Sequence, residues 1–253
     1  MKMLSIDELK KTPRLRIVVV GAPSPWGQPA KAMMEYKRLN YSAGQLELGG
    51  ANEEVVSWTG INSAPIVGWN DERPIDRWTD IFFLLERFAP EPALVPQDAH
   101  ARADMFGMSH EINGEFGIGW NRRLLIFAPL IDAGSAPEPV LQMGAKYNYN
   151  KVDVALAARR TVAALSMLDE RLCKQNARGS DYFIGDAPSA LDFYWTAMSN
   201  LVETMSWEKV PVAKEMRHLV AQNDPAIAAA FTPILREHRD RFFDRHFKSP
   251  MEF

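Results

Sequence analysis

Three short stretches of this chain hold residue types that could do chemistry. The first is Ser24-Pro25-Trp26-Gly27, which follows the β-branched run Leu15–Val20 and precedes the helical pattern Ala30–Leu39. A helix N-terminus presents unpaired backbone N–H groups and favours an anion there. A serine hydroxyl at that place could donate a hydrogen bond to a thiolate and so lower the pKa of a bound thiol. Read alone, the same residues are also an ordinary Ser-Pro turn. The second stretch is Ala64-Pro65, which opens the run ending at Trp69. An X-Pro bond in this position is a candidate cis peptide. It would turn the N–H and C=O of Ala64 outward, toward an extended peptide ligand. A trans proline at a strand start is the plain alternative. The third is Gly185-Asp-Ala-Pro-Ser189-Ala-Leu-Asp192. Its Ser189 and Asp192 have the S-x-x-D spacing of a capping box ahead of an apolar run, which assigns them to folding and not to catalysis.

These residues need elements to position them. Leu15–Val20 reads as a strand buried on both faces. Ala22–Pro29 is a loop, because three prolines exclude regular pairing, and Pro29 suits the first turn of the helix through Leu39. A second strand is expected around Ser42–Leu48 and a third over Ala64–Trp69. A turn at Asn70–Glu72 and a short segment at Arg73–Ile75 follow. Asp76 is a candidate N-cap for a helix with Ile81, Phe82, Leu84, Leu85 and Phe88 on one stripe. The order is therefore β-α-β, then β-β-α, over residues 14–89, behind a polar extension at 1–13. The proline-rich connector Ala89–Pro96 marks a domain boundary, with a linker at 90–97.

No strand pattern follows. Residues 98–248 read as an all-α domain. Its helices are expected in His100–Leu130 (interrupted by Gly114, Gly117 and Gly119), Val152–Lys174, Ala190–Val202, Val212–Gln222 and Pro225–Arg241. Ala190–Val202 is apolar nearly all round and reads as a central buried helix. Around the glycine breaks, Met105, Phe106, Met108, His110, Glu111, Trp120, Asn121 and Arg123 are either core or the lining of an apolar pocket.

Composition narrows the function classes. Of 253 residues, 47% are hydrophobic and the net charge is −3, so nothing calls for a nucleic-acid partner. The lone Cys173 cannot form an internal disulfide and reads as a packed small residue. The first residues lack an apolar signal core, and no apolar stretch approaches the ~20 residues of a membrane helix, so the cytoplasm is the expected location. Gly114–Gly119 lacks the G-x-G-x-x-G spacing and a preceding strand. His110-Glu111 lacks a second histidine at i+4, so no metal site is expected. His100, His218, His238 and His246 show no partner in sequence.

Taken in order, these motifs resemble the glutathione transferase superfamily. Ser24-Pro25-Trp26-Gly27 stands where that family keeps its active-site motif, and Tyr41 follows in the place of the family's usual tyrosine. Ala64-Pro65 matches the family's cis-proline. Phe183-Ile-Gly-Asp-Ala-Pro-Ser-Ala-Leu-Asp192 is similar to the family's C-terminal capping segment, with Leu191 in place of the usual alanine. The resemblance spans roughly residues 14–245. It implies a thioredoxin-like N-terminal domain followed by an all-helical one, and a glutathione-dependent transferase acting on a small hydrophobic electrophile.

By the same resemblance Ser24 is catalytic. Glutathione, the co-substrate, is expected to meet Trp26, Ala64, Pro65, Asp76, Arg77 and Trp78. Met108, Glu111 and Trp120 are expected to line the electrophile pocket, and the protein to be a cytoplasmic homodimer with no metal, nucleic-acid or membrane partner. One departure stands out. Where the family carries an acidic residue and a serine for the γ-glutamyl end, this chain reads Arg77-Trp78, with Asp76 and Glu72 as nearby acids. The alternatives are a ligand-binding or interaction protein of the same fold that does not recognise glutathione, and a glutathione-dependent isomerase or lyase. Gly27, where thiol-dependent relatives keep a second cysteine, excludes disulfide exchange at this motif.

Overall fold

The computed structural model describes residues 3–21, 24–221 and 224–252. The N-terminal part runs β1 (Met3–Leu4), α1 (Ile6–Lys11), β2 (Leu15–Val19), α2 (Gly27–Tyr36), β3 (Tyr41–Gln45), α3 (Glu53–Thr59), β4 (Ile66–Trp69) and α4 (Trp78–Phe88). β2 is buried at all five positions, as its β-branched run dictates. It sits inside a four-stranded sheet of order β1-β3-β2-β4. β2 pairs parallel to β3, with Leu15 opposite Tyr41, and antiparallel to β4, with Val18 opposite Ile66. This is a thioredoxin-like sheet with helices on its faces.

Several details depart from the sequence reading. Residues 3–11, read as a polar extension, add a strand parallel to β3 and a capped helix. Leu9 is wholly buried against Val18, Leu46, Val55 and Ile66. That segment is too short for its four apolar residues, Met3, Leu4, Ile6 and Leu9, to show a period. The second strand of the expected β-β-α unit shrinks to one bridge, Val67 with Ile75. Arg77, not Asp76, is the N-cap of α4. The expected loop at 22–29 begins with two residues outside the described ones, as does the last residue, Gln222, of the expected 212–222 helix.

The remainder is helical: α5 (Ala99–Asn113), α6 (Ile118–Asp132), α7 (Glu138–Lys146), α8 (Lys151–Asn176), α9 (Ala190–Met198), α10 (Lys214–Ala221), α11 (Pro225–Ala230) and α12 (Pro233–His246). A 3₁₀ turn, Ser199–Leu201, extends α9. Helices α3 and α7 were not legible in the sequence. The stretch expected as one helix over 225–241 is two, because Pro233 cannot continue α11 but fits the first turn of α12. Among the described residues, no strand follows α4, and no helix is long and apolar enough to cross a membrane.

All nine residues of α9 are buried. The reason this helix enters the core where it does is Asp192. Its fully buried carboxylate accepts from the Ser189 N–H (2.8 Å), the Ser189 hydroxyl (2.8 Å) and the Phe183 N–H (3.1 Å). His238 Nε2 lies 2.9 Å from the same group. His238 therefore does have a partner, supplied by α12 from 46 residues away, where no sequence spacing could reveal it. A buried carboxylate with this many donors is a structural anchor.

Candidate active site at the domain junction

Ser24 lies at the turn between β2 and α2, and only 6% of it is exposed. Its hydroxyl oxygen accepts from the Gly27 N–H at 3.1 Å, and its carbonyl accepts from the Gln28 N–H at 3.0 Å. The first two amides of α2 are thus taken up by Ser24 itself, and Pro29 has none to offer. These two amides are therefore not open to a bound anion, whereas the Ser24 hydroxyl keeps its proton to donate. Gly27 is required for this arrangement. A Cβ there would stand 2.7 Å from Ser24 Oγ.

Ser24 opens onto a cleft of about 620 Å³ between the two domains. The N-terminal wall includes Ser24, Pro25, Trp26, Leu46, Gly49, Asn62, Ser63 and Ala64. The Ala64-Pro65 bond is cis. Pro65 is buried behind Ala64. Among the described residues, no backbone hydrogen bond engages Ala64, which precedes the paired stretch of β4. Trp26 stands at the junction: its indole N–H donates to the Asn113 carbonyl at 3.2 Å, and its ring stacks on Tyr147 with centroids 6.1 Å apart.

The helical wall includes Arg123, Met143, Lys146, Tyr147, Leu201, Val212, Met216 and Val220. It is held from behind by Arg122. That fully buried guanidinium donates to the carbonyls of Leu201 (2.8 Å) and Val220 (3.1 Å), both wall residues. Burial pushes its pKa down to about 10. Lys146, at the end of α7, reaches across to the N-terminal domain and donates to Ser63 Oγ at 2.7 Å.

The other residues singled out in the sequence are spread more widely. Trp120 packs edge-on against Tyr147 at 5.0 Å and so backs the cleft. Met108 and Glu111 line a separate, more open groove between α5 and α8, with Met167 and Arg171. Trp78 turns away from the cleft. Its ring meets Tyr194 of α9 at 5.7 Å, and the Tyr194 hydroxyl donates to the Trp78 carbonyl at 3.0 Å. Glu72 is engaged by Arg87 at 2.7 Å. Asp76 and Arg77 are exposed at the start of α4, and the charge of Asp76 acts on Lys146. Among the described residues, no cluster of metal-ligating side chains occurs.

The sequence missed Lys146 and Tyr147 because their helix, α7, was not recognised. Arg123 was visible as a pocket candidate, but its direction along α6 was not. Gly119, one turn earlier, carries the missing signal. A Cβ there would meet Trp26 at 3.0 Å, so α6 turns this face toward the Ser24 turn.

No family model matches this sequence, and no curated protein matches it either. Solved structures do match. A glutathione S-transferase from Rhodospirillum rubrum F11 is 21% identical, with a TM-score of 0.55 over 86% of this chain and 92% of that one. A glutathione S-transferase from Methylobacterium radiotolerans, in complex with glutathione sulfonate, is 14% identical, with a TM-score of 0.57 over 86% and 94%. The beta-etherase LigF from Sphingobium sp. strain SYK-6 is 18% identical, with a TM-score of 0.56 over 86% and 98%. The thioredoxin-like sheet, the helical domain behind it and the cleft between them therefore form the glutathione S-transferase fold.

Proposed function

We propose that this protein is a glutathione-dependent transferase in which Ser24 activates the thiol. The observation that carries the reading is the Ser24 hydroxyl. It is buried at the edge of the cleft, and its oxygen is already engaged by the Gly27 N–H. Its own proton is then free to donate to a sulfur. A hydrogen bond to the charged form lowers a pKa, so the glutathione thiol ionises more readily beside Ser24. The thiolate attacks an electrophilic carbon. The new C–S bond forms as the leaving group departs with its electron pair, and the thiol proton passes to solvent.

The unpaired backbone of Ala64 is suited to the cysteinyl part of glutathione. Asp76 supplies an acid for the γ-glutamyl ammonium. Trp78 faces the helical domain, so its bulk does not obstruct that end. The homodimer that the resemblance implies belongs to the same proposal.

Titration calorimetry with glutathione tests the reading at its base, with conjugation of 1-chloro-2,4-dinitrobenzene as the second measurement. Saturable binding below millimolar, together with conjugation, is expected. Absence of binding at millimolar glutathione would overturn the reading in favour of a ligand-binding protein of the same fold. Binding without conjugation would instead direct the search to isomerase or lyase substrates.

A further inference from the structure

We infer that the acceptor substrate carries a carboxylate, held by Arg123 and Lys146 on the helical wall of the cleft. This rests on reading the cleft as the place where glutathione meets its acceptor, and it names the class of that acceptor. The chain as a whole is acidic, with a net charge of −3. The cleft has the opposite character. Among the described residues that line it there are two cations, Arg123 and Lys146, and no aspartate or glutamate.

Neither cation is paired with an acid within ion-pair distance among the described residues. Arg123 Nε is buried and has no hydrogen-bond partner. The guanidinium acts electrostatically on the Tyr147 phenol and lies 5.8 Å from the centre of the Phe127 ring. These contacts orient it without neutralising it. Desolvation and then repulsion from Arg123 weaken the hold of Lys146 on its proton, and the exposed Asp76 opposes them. Two like charges in one cleft, without a counter-ion, gain when an anion binds between them. A guanidinium beside an ammonium suits a carboxylate, which can accept from both.

The rest of the same wall is apolar: Met143, Leu201, Val212, Met216 and Val220. The ligand that fits is an apolar body with one anionic head, presented to the Ser24 side of the junction. The glycyl carboxylate of glutathione is the competing occupant. However, Arg123 shares its wall with apolar residues of the helical domain, whereas Ser24 and Ala64 stand on the other, and Lys146 spans the two at Ser63.

The test is calorimetric titration of 4-chloro-3-nitrobenzoate and its methyl ester into the protein, free and loaded with glutathione. A parallel arm compares glutathione with its glycyl ethyl ester. The acid is expected to bind at least tenfold tighter than its ester, and Arg123→Gln and Lys146→Met each to collapse that ratio toward one. Circular dichroism of each variant reports its folding. Lys146→Met changes an exposed residue and keeps the test valid if Arg123→Gln unfolds. Equal affinity for acid and ester overturns the inference. So does a loss of preference confined to glutathione over its ethyl ester, which would assign the cations to glutathione. Titration of the free protein reads the acid preference even if glutathione does not bind, so failure here is distinct from failure of the transferase reading.

Discussion

The two walls of the cleft are built in different ways. The N-terminal wall is made by local sequence. Ser24 bonds to residues three and four positions on, and the backbone of Ala64 is presented beside its neighbour Pro65. The helical wall is made by tertiary structure. Arg122 holds it through carbonyls 79 and 98 residues distant, and Lys146 reaches Ser63 across 83 residues. A locally built wall keeps one chemistry, whereas a wall assembled from remote helices can change its acceptor without disturbing the thiol. On the proposed function, the fold would thus separate what is activated from what is attacked.

The largest effect that would break this comparison is expected at Ser24. Ser24→Ala removes the donor to the thiolate, and loss of one such donor typically costs about a hundredfold in rate. Conjugation rates should fall by that order with every acceptor, acid or ester alike, and the pH at which the rate rises should move toward that of free glutathione. A loss restricted to one acceptor would show that Ser24 belongs to acceptor recognition instead.

A smaller effect is expected from Gly27→Ala. The added Cβ would crowd Ser24 Oγ at 2.7 Å, and the hydroxyl would rotate away. A rate loss of about tenfold should accompany a stability change below about 1 kcal/mol. Thermal unfolding and steady-state kinetics together check this. An unchanged rate would mean that the orientation of Ser24 is immaterial.

The smallest effect should appear on the other wall, as a pH dependence. Although Lys146 keeps contact with solvent, partial desolvation of its ammonium at the cleft wall, reinforced by the neighbouring Arg123, holds it below the usual lysine range, and Asp76 offsets part of this. A cation attracts a carboxylate only below its pKa. The acid-over-ester preference should therefore weaken by a few-fold as pH rises from ~7 to ~10, earlier than an ordinary lysine at ~10.4 would allow. In Lys146→Met the profile should be flat. A rising preference would contradict the assignment.

The same contrast explains what the sequence disclosed. The strand Leu15–Val19, the Ser24 turn and the capping segment at Ser189–Asp192 were legible because their signals lie within a few residues of one another. The His238–Asp192 pair, the role of Arg122 and the approach of Lys146 to Ser63 were not, since no local period encodes a contact across dozens of residues. Helix α7 was missed for a related reason: nine residues led by Glu138-Pro139 carry too little apolar pattern to be read as a helix. Trp78 was misplaced because its position in the chain said nothing of the direction of its ring, which Tyr194 determines.

β1 has a consequence for how the molecule behaves in company. It lies along the outer side of β3, with Met3 opposite Ala43 and Leu4 opposite Gly44. Without it, that side of the sheet would be a bare template for a strand from another molecule. β1, so plain in composition, covers an edge that would otherwise be open to another strand. Trimming residues 3–11 is expected to bare that edge and to strip Leu9 from Leu46, which lines the cleft.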